Sequence, residues 1–260
     1  MVLEQLVSVR EAWRRPWLMF LVGGVVSVLC LSISSIVFPT FTGIATVFLV
    51  TFAMTPFMVR LAQHEEFEEE RLATRHKLRI FQRYRHLILI YTAFFAGMVI
   101  SLSILFTILP EDYAEKIFND QLQQIKILRG RFTLPTFFQT IFFNNLGVLL
   151  LAFLFSLLFG AGAVFIISWN ASVLAAAIGM MAKSLGGVAA IPVAVLVFLP
   201  HGSLELLAYF IGGIAGGIIS AAIARRKSKF FGEIMLDSLT WLGIAVLLVF
   251  AGALIEAMLI

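Results

Sequence analysis

Apolar residues in this chain neither alternate nor keep to one helical face. They run on for whole segments, and the polar residues fall between the runs. About 20 apolar residues suffice to cross a bilayer as a helix. Runs of that length occupy Trp17–Val37, Phe41–Val59, Leu87–Leu109, Ile141–Ser168, Ser203–Ala224 and Leu236–Leu259, and a seventh, Ala171–Leu199, is interrupted. Phe38-Pro39-Thr40 leaves room only for a tight turn, so the first two spans are expected to form a hairpin.

Two polar stretches have helical patterns of their own. From Phe57 to Ala96 there is neither glycine nor proline, so spans two and three are expected to continue as helices beyond the membrane. Acids crowd Glu65–Glu70 and bases crowd Arg71–Arg85, and a turn near Ala73 sets Glu66 and Glu68 opposite Lys77 and Arg79. Residues 60–86 thus read as a charged cytoplasmic helical hairpin. It serves either as a solvated stalk, whose surface pairs contribute under about 1 kcal/mol each, or as a docking site for a cytoplasmic protein. Between spans three and four, Pro110 opens a helix over 111–130, with Glu111 and Asp112 in its first turn, Lys126 and Arg129 in its last, and Gly130 as its stop. Phe118, Leu122, Ile125 and Leu128 share one face, while Asp120, Gln121, Gln123 and Gln124 cover the others. That stripe suits a helix lying flat on the outer membrane surface and equally a helix packed over the bundle.

Composition fixes the class. With 61% hydrophobic residues and a mean hydropathy of +1.01, the chain is too apolar for a soluble domain. The expected fold is all-α, a polytopic integral membrane helical bundle of about seven transmembrane segments forming a single membrane domain over 1–260, with the bilayer as its first partner. The net charge of +4 comes from basic residues beside apolar runs, which argues for orientation in a membrane and against a nucleic-acid partner. With the N-terminus inside, the inner segments hold three, seven, one (Lys183) and four Lys and Arg residues, fifteen against four outside. This predicts seven spans in the cell membrane, the N-terminus cytoplasmic and the C-terminus outside. If the interrupted segment is re-entrant, there are six spans and the C-terminus is inside. The first run is long and lacks a small-residue cleavage site, so it reads as an anchor, with Trp13 and Trp17 beside Arg10, Arg14 and Arg15 at the cytoplasmic interface. The lone Cys30 excludes an intrachain disulfide and a thiolate metal cluster.

Within Ile191–Arg226 the apolar run breaks at Pro200-His201-Gly202 and resumes with Glu205 inside it. A carboxylate in hydrocarbon costs a few kcal/mol or more, and such groups face a protein interior or a wet cavity. If Pro200 takes a first helical position, His201 and Glu205 stack one turn apart on one face. Asn144, Asn145, Asn170 and Lys183 are the other polar groups of this apolar half. They read as interhelical glue and a snorkelling lysine, or with His201 and Glu205 as a binding or conduction site where interrupted helices meet. In the second reading Lys183 is available as an ion-pair partner for Glu205. Gly212/Gly216 and Gly213/Gly217 have GxxxG spacing and read as helix-packing faces, within the bundle or in a homodimer. The glycines lack the lysine and serine of a phosphate loop. His64, His76 and His86 lie in the charged hairpin without metal-ligand spacing and are expected to be solvated, so neither a metal nor a cofactor is expected. Asn170-Ala-Ser172 is formally a glycosylation sequon, but it falls at a cytoplasmic boundary.

The Pro200-His201-Gly202-x-x-Glu205 motif followed by the two glycine pairs resembles the C-terminal half of the stage II sporulation protein M family, also called DUF95. The resemblance extends to Phe142-Phe143-Asn144-Asn145, Phe159-Gly160-Ala161-Gly162 and Trp169-Asn170-Ala171-Ser172, and so covers a core over 142–226. The opening Met1–Trp17 and the paired first spans are similar to archaeal members. The resemblance implies a multi-pass protein that recruits cell-wall hydrolases during engulfment in endospore-forming bacteria. No hydrolase motif occurs in the chain itself, so the expected function is a non-enzymatic membrane scaffold for envelope remodelling, with a membrane or cytoplasmic protein as its partner. A transporter or lipid-handling protein using His201 and Glu205 is the alternative, and an intramembrane enzyme the last.

Overall fold

In a computed structural model the described residues are 8–72, 85–130, 137–160, 163–224 and 231–259, and all their regular structure is helical. A short helix α1 (Val9–Arg14) leads into α2 (Leu18–Val37) and α3 (Thr42–Leu72). Next come α4 (Arg85–Ile108), the short α5 (Glu111–Ile117) and α6 (Asn119–Gly130), then α7 (Phe137–Phe159), α8 (Ala163–Ser184), α9 (Ile191–Ala224) and α10 (Phe231–Leu259). Seven of these are long and apolar enough to cross a membrane, making this a multi-pass membrane protein. Their outward faces are apolar too: Phe52 is 83% exposed and Leu247 68%. That is the reverse of a soluble helix and what a lipid-facing bundle requires.

The chain starts on a capping box that the opening residues spell as Ser8-x-x-Glu11. The Ser8 hydroxyl accepts from the Glu11 amide, and the Glu11 carboxylate accepts from the Ser8 amide at 2.9 Å. Those bonds hold the exposed Glu11 carboxyl below its ordinary pKa, chiefly through the Ser8 backbone N–H. Trp13 then stacks on His86 with ring centroids 4.8 Å apart. His86 is therefore half-buried against α1 rather than solvated, because its ring covers the indole that would otherwise lie open.

Contacts fix the direction of each helix. Trp13 meets His86, and Leu31 meets Leu102 and Phe106, so α2 and α4 run parallel. The Ser103 hydroxyl donates to the Ala175 carbonyl at 3.2 Å and the Lys183 ammonium to that of Leu109 at 2.7 Å, so α8 runs parallel to both. Lys183 therefore sits at the end of the bundle opposite α1, and not at the end of the N-terminal basic residues with which the charge count grouped it.

Two helix boundaries differ from the sequence reading. The expected span Ile141–Ser168 is divided: α7 ends at Gly160, whose φ of +74° reverses the chain, and α8 starts afresh at Ala163. The expected interruption at Pro200 does not occur, because α9 runs through it. The break comes earlier, at Gly186 and Gly187, with φ of +110° and +98°. The Gly187 amide closes α8 on the Ala182 carbonyl at 2.7 Å, a left-handed helix stop open to glycine at no steric cost. Pro200 lacks the N–H that would bond Leu196, yet a membrane helix flanked by others absorbs that loss. At about 1.5 Å per residue the 34 residues of α9 span about 51 Å, well beyond the ~30 Å of bilayer hydrocarbon.

The expected 111–130 helix is two helices, bent at Phe118, and it is packed over the bundle. Phe118, Leu122 and Ile125 are buried against Leu102, Phe106 and Ala175. Asp120 and Gln121, expected on the polar faces, also turn inward. The Asp120 carboxylate accepts from the Ile44 amide at 2.9 Å, in the first turn of α3, where a negative charge meets the positive end of the helix. Gln121 is buried and donates to the Ser172 hydroxyl at 3.1 Å. Helix α3 does continue past the membrane to Leu72. The turn near Ala73, with Lys77 and Arg79, lies outside the described residues.

Candidate functional site

Four of the long helices, α7 to α10, bring polar side chains to one cavity of about 430 Å³. Helix α7 contributes Asn144 and the buried Asn145, with the Asn144 amide donating to Asn145 Oδ1 at 3.2 Å. Helix α8 contributes Asn170, whose amide donates one N–H to the Ile166 carbonyl at 2.8 Å and leaves the other, with its own carbonyl oxygen, to the cavity. Helix α9 carries His201, Glu205 and Tyr209, successive residues of one i, i+4 stripe, all in the wall. From α10 comes Glu256.

The stripe forms without a helix start at Pro200, because an unbroken α9 gives the same spacing. Five of the six polar residues singled out in the sequence meet in the cavity: His201, Glu205, Asn144, Asn145 and Asn170. Lys183 stands apart. Its ammonium is held by the Leu109 carbonyl and lies 5.2 Å from the centre of the Phe106 ring, at the far end of α8.

The site is under-satisfied. The Asn145 side chain reaches the Glu205 carboxylate, yet Glu205 Oε1 and His201 Nδ1 are buried with no hydrogen-bond partner. A buried polar atom left unpaired costs about 1–3 kcal/mol, which a ligand's donors can recover. Among the described residues no group of three or more His, Cys, Asp or Glu is arranged to hold a metal ion.

Glu256 escaped the sequence reading although the criterion that picked out Glu205, an acid within an apolar run, applies to it equally. Gly252, one turn earlier, lets Glu205 reach this wall. A Cβ there would stand 2.8 Å from Glu205 Cγ and 3.3 Å from the His201 carbonyl oxygen. No local signal distinguishes that glycine from any other in a membrane helix.

The GxxxG glycines build the frame around this site. A side chain at Gly212 would strike Leu149, one at Gly213 would meet Ala163, one at Gly216 would land on the Phe153 carbonyl oxygen, and one at Gly217 would stand 2.9 Å from the Gly160 carbonyl oxygen. All four face α7 and the start of α8 within the chain, so α7 and α9 run parallel with their backbones nearly touching.

No curated protein and no solved structure matches the chain significantly. The asparagine pair on α7, the histidine and glutamate on α9 and the glycines that bind these helices together lie well inside residues 17–259, which the sequence model of the family described as stage II sporulation protein M matches, so the chain belongs to that family.

Proposed function

We propose that this family member is a non-enzymatic transport or lipid-handling protein that works through the polar cavity around Glu205. The observation that carries the reading is the cavity itself, a space of about 430 Å³ inside a membrane bundle, walled by two carboxylates, a histidine and three asparagines. Glu205 Oε1 and His201 Nδ1 in its wall have no partner within the protein and are free to meet a ligand. Polar sites inside helical bundles mark substrate pathways in many transporters.

The test is solute or lipid movement by the purified chain in proteoliposomes, with Glu205→Gln as the control. Flux that the variant abolishes supports the reading. Wild-type vesicles that move nothing across a panel of cations, anions and labelled lipids would refute it.

Family membership favours a second reading, a scaffold that recruits partner proteins during envelope remodelling. A scaffold retains its partner with Glu205→Gln in place, so copurification before and after that change separates the two. For the orientation we propose the N-terminus inside the cell membrane and the C-terminus outside. A cysteine placed at Thr74 should then resist an impermeant label applied to intact cells.

A further inference from the structure

Beside the polar cavity lies a second cavity of about 370 Å³, and the two share Phe95, Leu174, Phe198, Gly202 and Leu206 as a common wall. Apart from Thr92 and Ser203 at its rim, the second cavity is lined wholly by apolar and aromatic residues and glycine. Thr92, Leu199 and Ser203 in its wall are exposed, so it opens sideways between α4 and α9 onto the lipid-facing flank of the bundle. At the junction stands Gly202, where an added Cβ would meet nothing within 4 Å. The wall that the two cavities share thus has open space at Gly202.

The charged groups of the polar cavity are of one sign. Asn144 and Asn170 each spend one amide N–H within the protein, and the Asn145 side chain serves Glu205. Beside the His201 ring, Asn170 Oδ1 and the second amide N–H of Asn144 and of Asn170, what remains is the pair of carboxylates, Glu205 and Glu256, which accept hydrogen bonds and carry negative charge when ionised. Among the described residues the lining has no lysine or arginine. Phe95, Phe137, Phe198 and Tyr209 add aromatic surface, which attracts cations and gives nothing to anions. A phosphate or sulfate entering here would meet two carboxylates and find no cation to balance it.

We infer that the two cavities form one site for an amphiphile with an ammonium-type head and an apolar chain, the head between Glu205 and Glu256 and the chain in the cleft between α4 and α9. This rests on the transport or lipid-handling reading and narrows its substrate class. The ligand enters from the membrane, tail beside Thr92 and Ser203, with its head passing Gly202 to reach the acids.

The full chain in neutral maltoside micelles is titrated with dodecyltrimethylammonium, dodecyl sulfate and tetramethylammonium, and retention is read by native mass spectrometry. Dodecyltrimethylammonium should be held at least about tenfold more tightly than either of the others. The Glu205→Gln, Glu256→Gln double variant should lose about tenfold or more in that affinity. Glu256→Gln alone, with a thermal midpoint near wild type, guards against misfolding as the cause. Gly202→Leu, which plugs the junction and favours the helix, should weaken the long-chain cation and spare tetramethylammonium. Equal retention of dodecyl sulfate, or an unaffected double variant, overturns the inference. Tetramethylammonium held as tightly as the long-chain probe, with Gly202→Leu silent for both, overturns the amphiphile and leaves a small-cation site. No retention of any probe also overturns it, and Glu205-dependent solute movement in proteoliposomes would then still uphold the broader reading.

Discussion

Replacing Gly216 with alanine tests what the glycine pairs do. The new methyl would be driven onto the Phe153 carbonyl oxygen and to 3.0 Å from the Leu157 amide nitrogen. Both are backbone atoms of α7, so no side chain can swing aside and the two helices must move apart. Overpacking of this kind costs about 1–3 kcal/mol, against which Gly→Ala returns about 0.5–1 kcal/mol of helix propensity. Gly243→Ala isolates the second effect, because a Cβ there meets nothing within 4 Å. Thermal unfolding in neutral detergent should place Gly216→Ala below wild type and Gly243→Ala at or above it. The comparison also separates packing within the chain from self-association. If Gly216→Ala is as stable as Gly243→Ala, or lowers a crosslinked dimer while its midpoint stays put, the glycines do not hold α9 against α7 in the way the geometry requires.

Asp120→Ala removes the carboxylate from the first turn of α3 and should cost about 0.5–2 kcal/mol, as lost helix caps do, with faster hydrogen exchange at the Ile44 amide as its signature. Ser8→Ala removes the hydroxyl half of the capping box and keeps the backbone N–H, so the Glu11 carboxyl should titrate closer to its ordinary 4.5 than in wild type and still stay below it. A depressed carboxyl stabilises the folded form above its unfolded pKa and loses that contribution as pH falls through the folded value. Order in α1, followed by NMR, should accordingly fade on acidification below about 4.5 in wild type and be weaker at neutral pH in the variant. Gly252→Ala crowds Glu205 from the α10 side and should weaken binding in the cavity more than it lowers the thermal midpoint; the reverse ranking would mean that the contact is merely structural.

What the sequence made legible was the set of groups with a high energetic cost. Glu205 in an apolar run had to find a polar interior, and the helical repeat placed His201 beside it whichever residue began the helix. Span count followed from apolar length, which the seven long helices match. Helix ends were harder to read. Pro200 looked like a break, but a membrane helix tolerates proline where its neighbours shield the backbone. The true reversals at Gly160 and Gly186-Gly187 rest on positive φ, a property that glycine permits without announcing. Partners in space were legible only in part, through the polar groups that converge on Glu205. Lys183 belongs with Leu109 through a contact between helices far apart in the chain, and Glu256 comes opposite Glu205 only because α10 runs back along α9.

The motifs that stand apart in the sequence form one mechanical unit in the bundle. Asn144 and Asn145 reach the cavity only if α7 lies close against α9, and Gly212 and Gly216 set that distance by leaving nothing between the two backbones. Glu256 joins only if α10 lies equally close on the other flank, which Gly252 permits. His201 and Glu205 sit between these two contacts, on a helix clamped from both sides. A site assembled this way is rigid where its acids are held, because glycine contacts have no side chains that can repack. It is open where Gly202 faces empty space. Rigid acids beside an open junction are what the proposed entry of a ligand from the membrane requires, and a cluster serving only as interhelical glue would not need the opening.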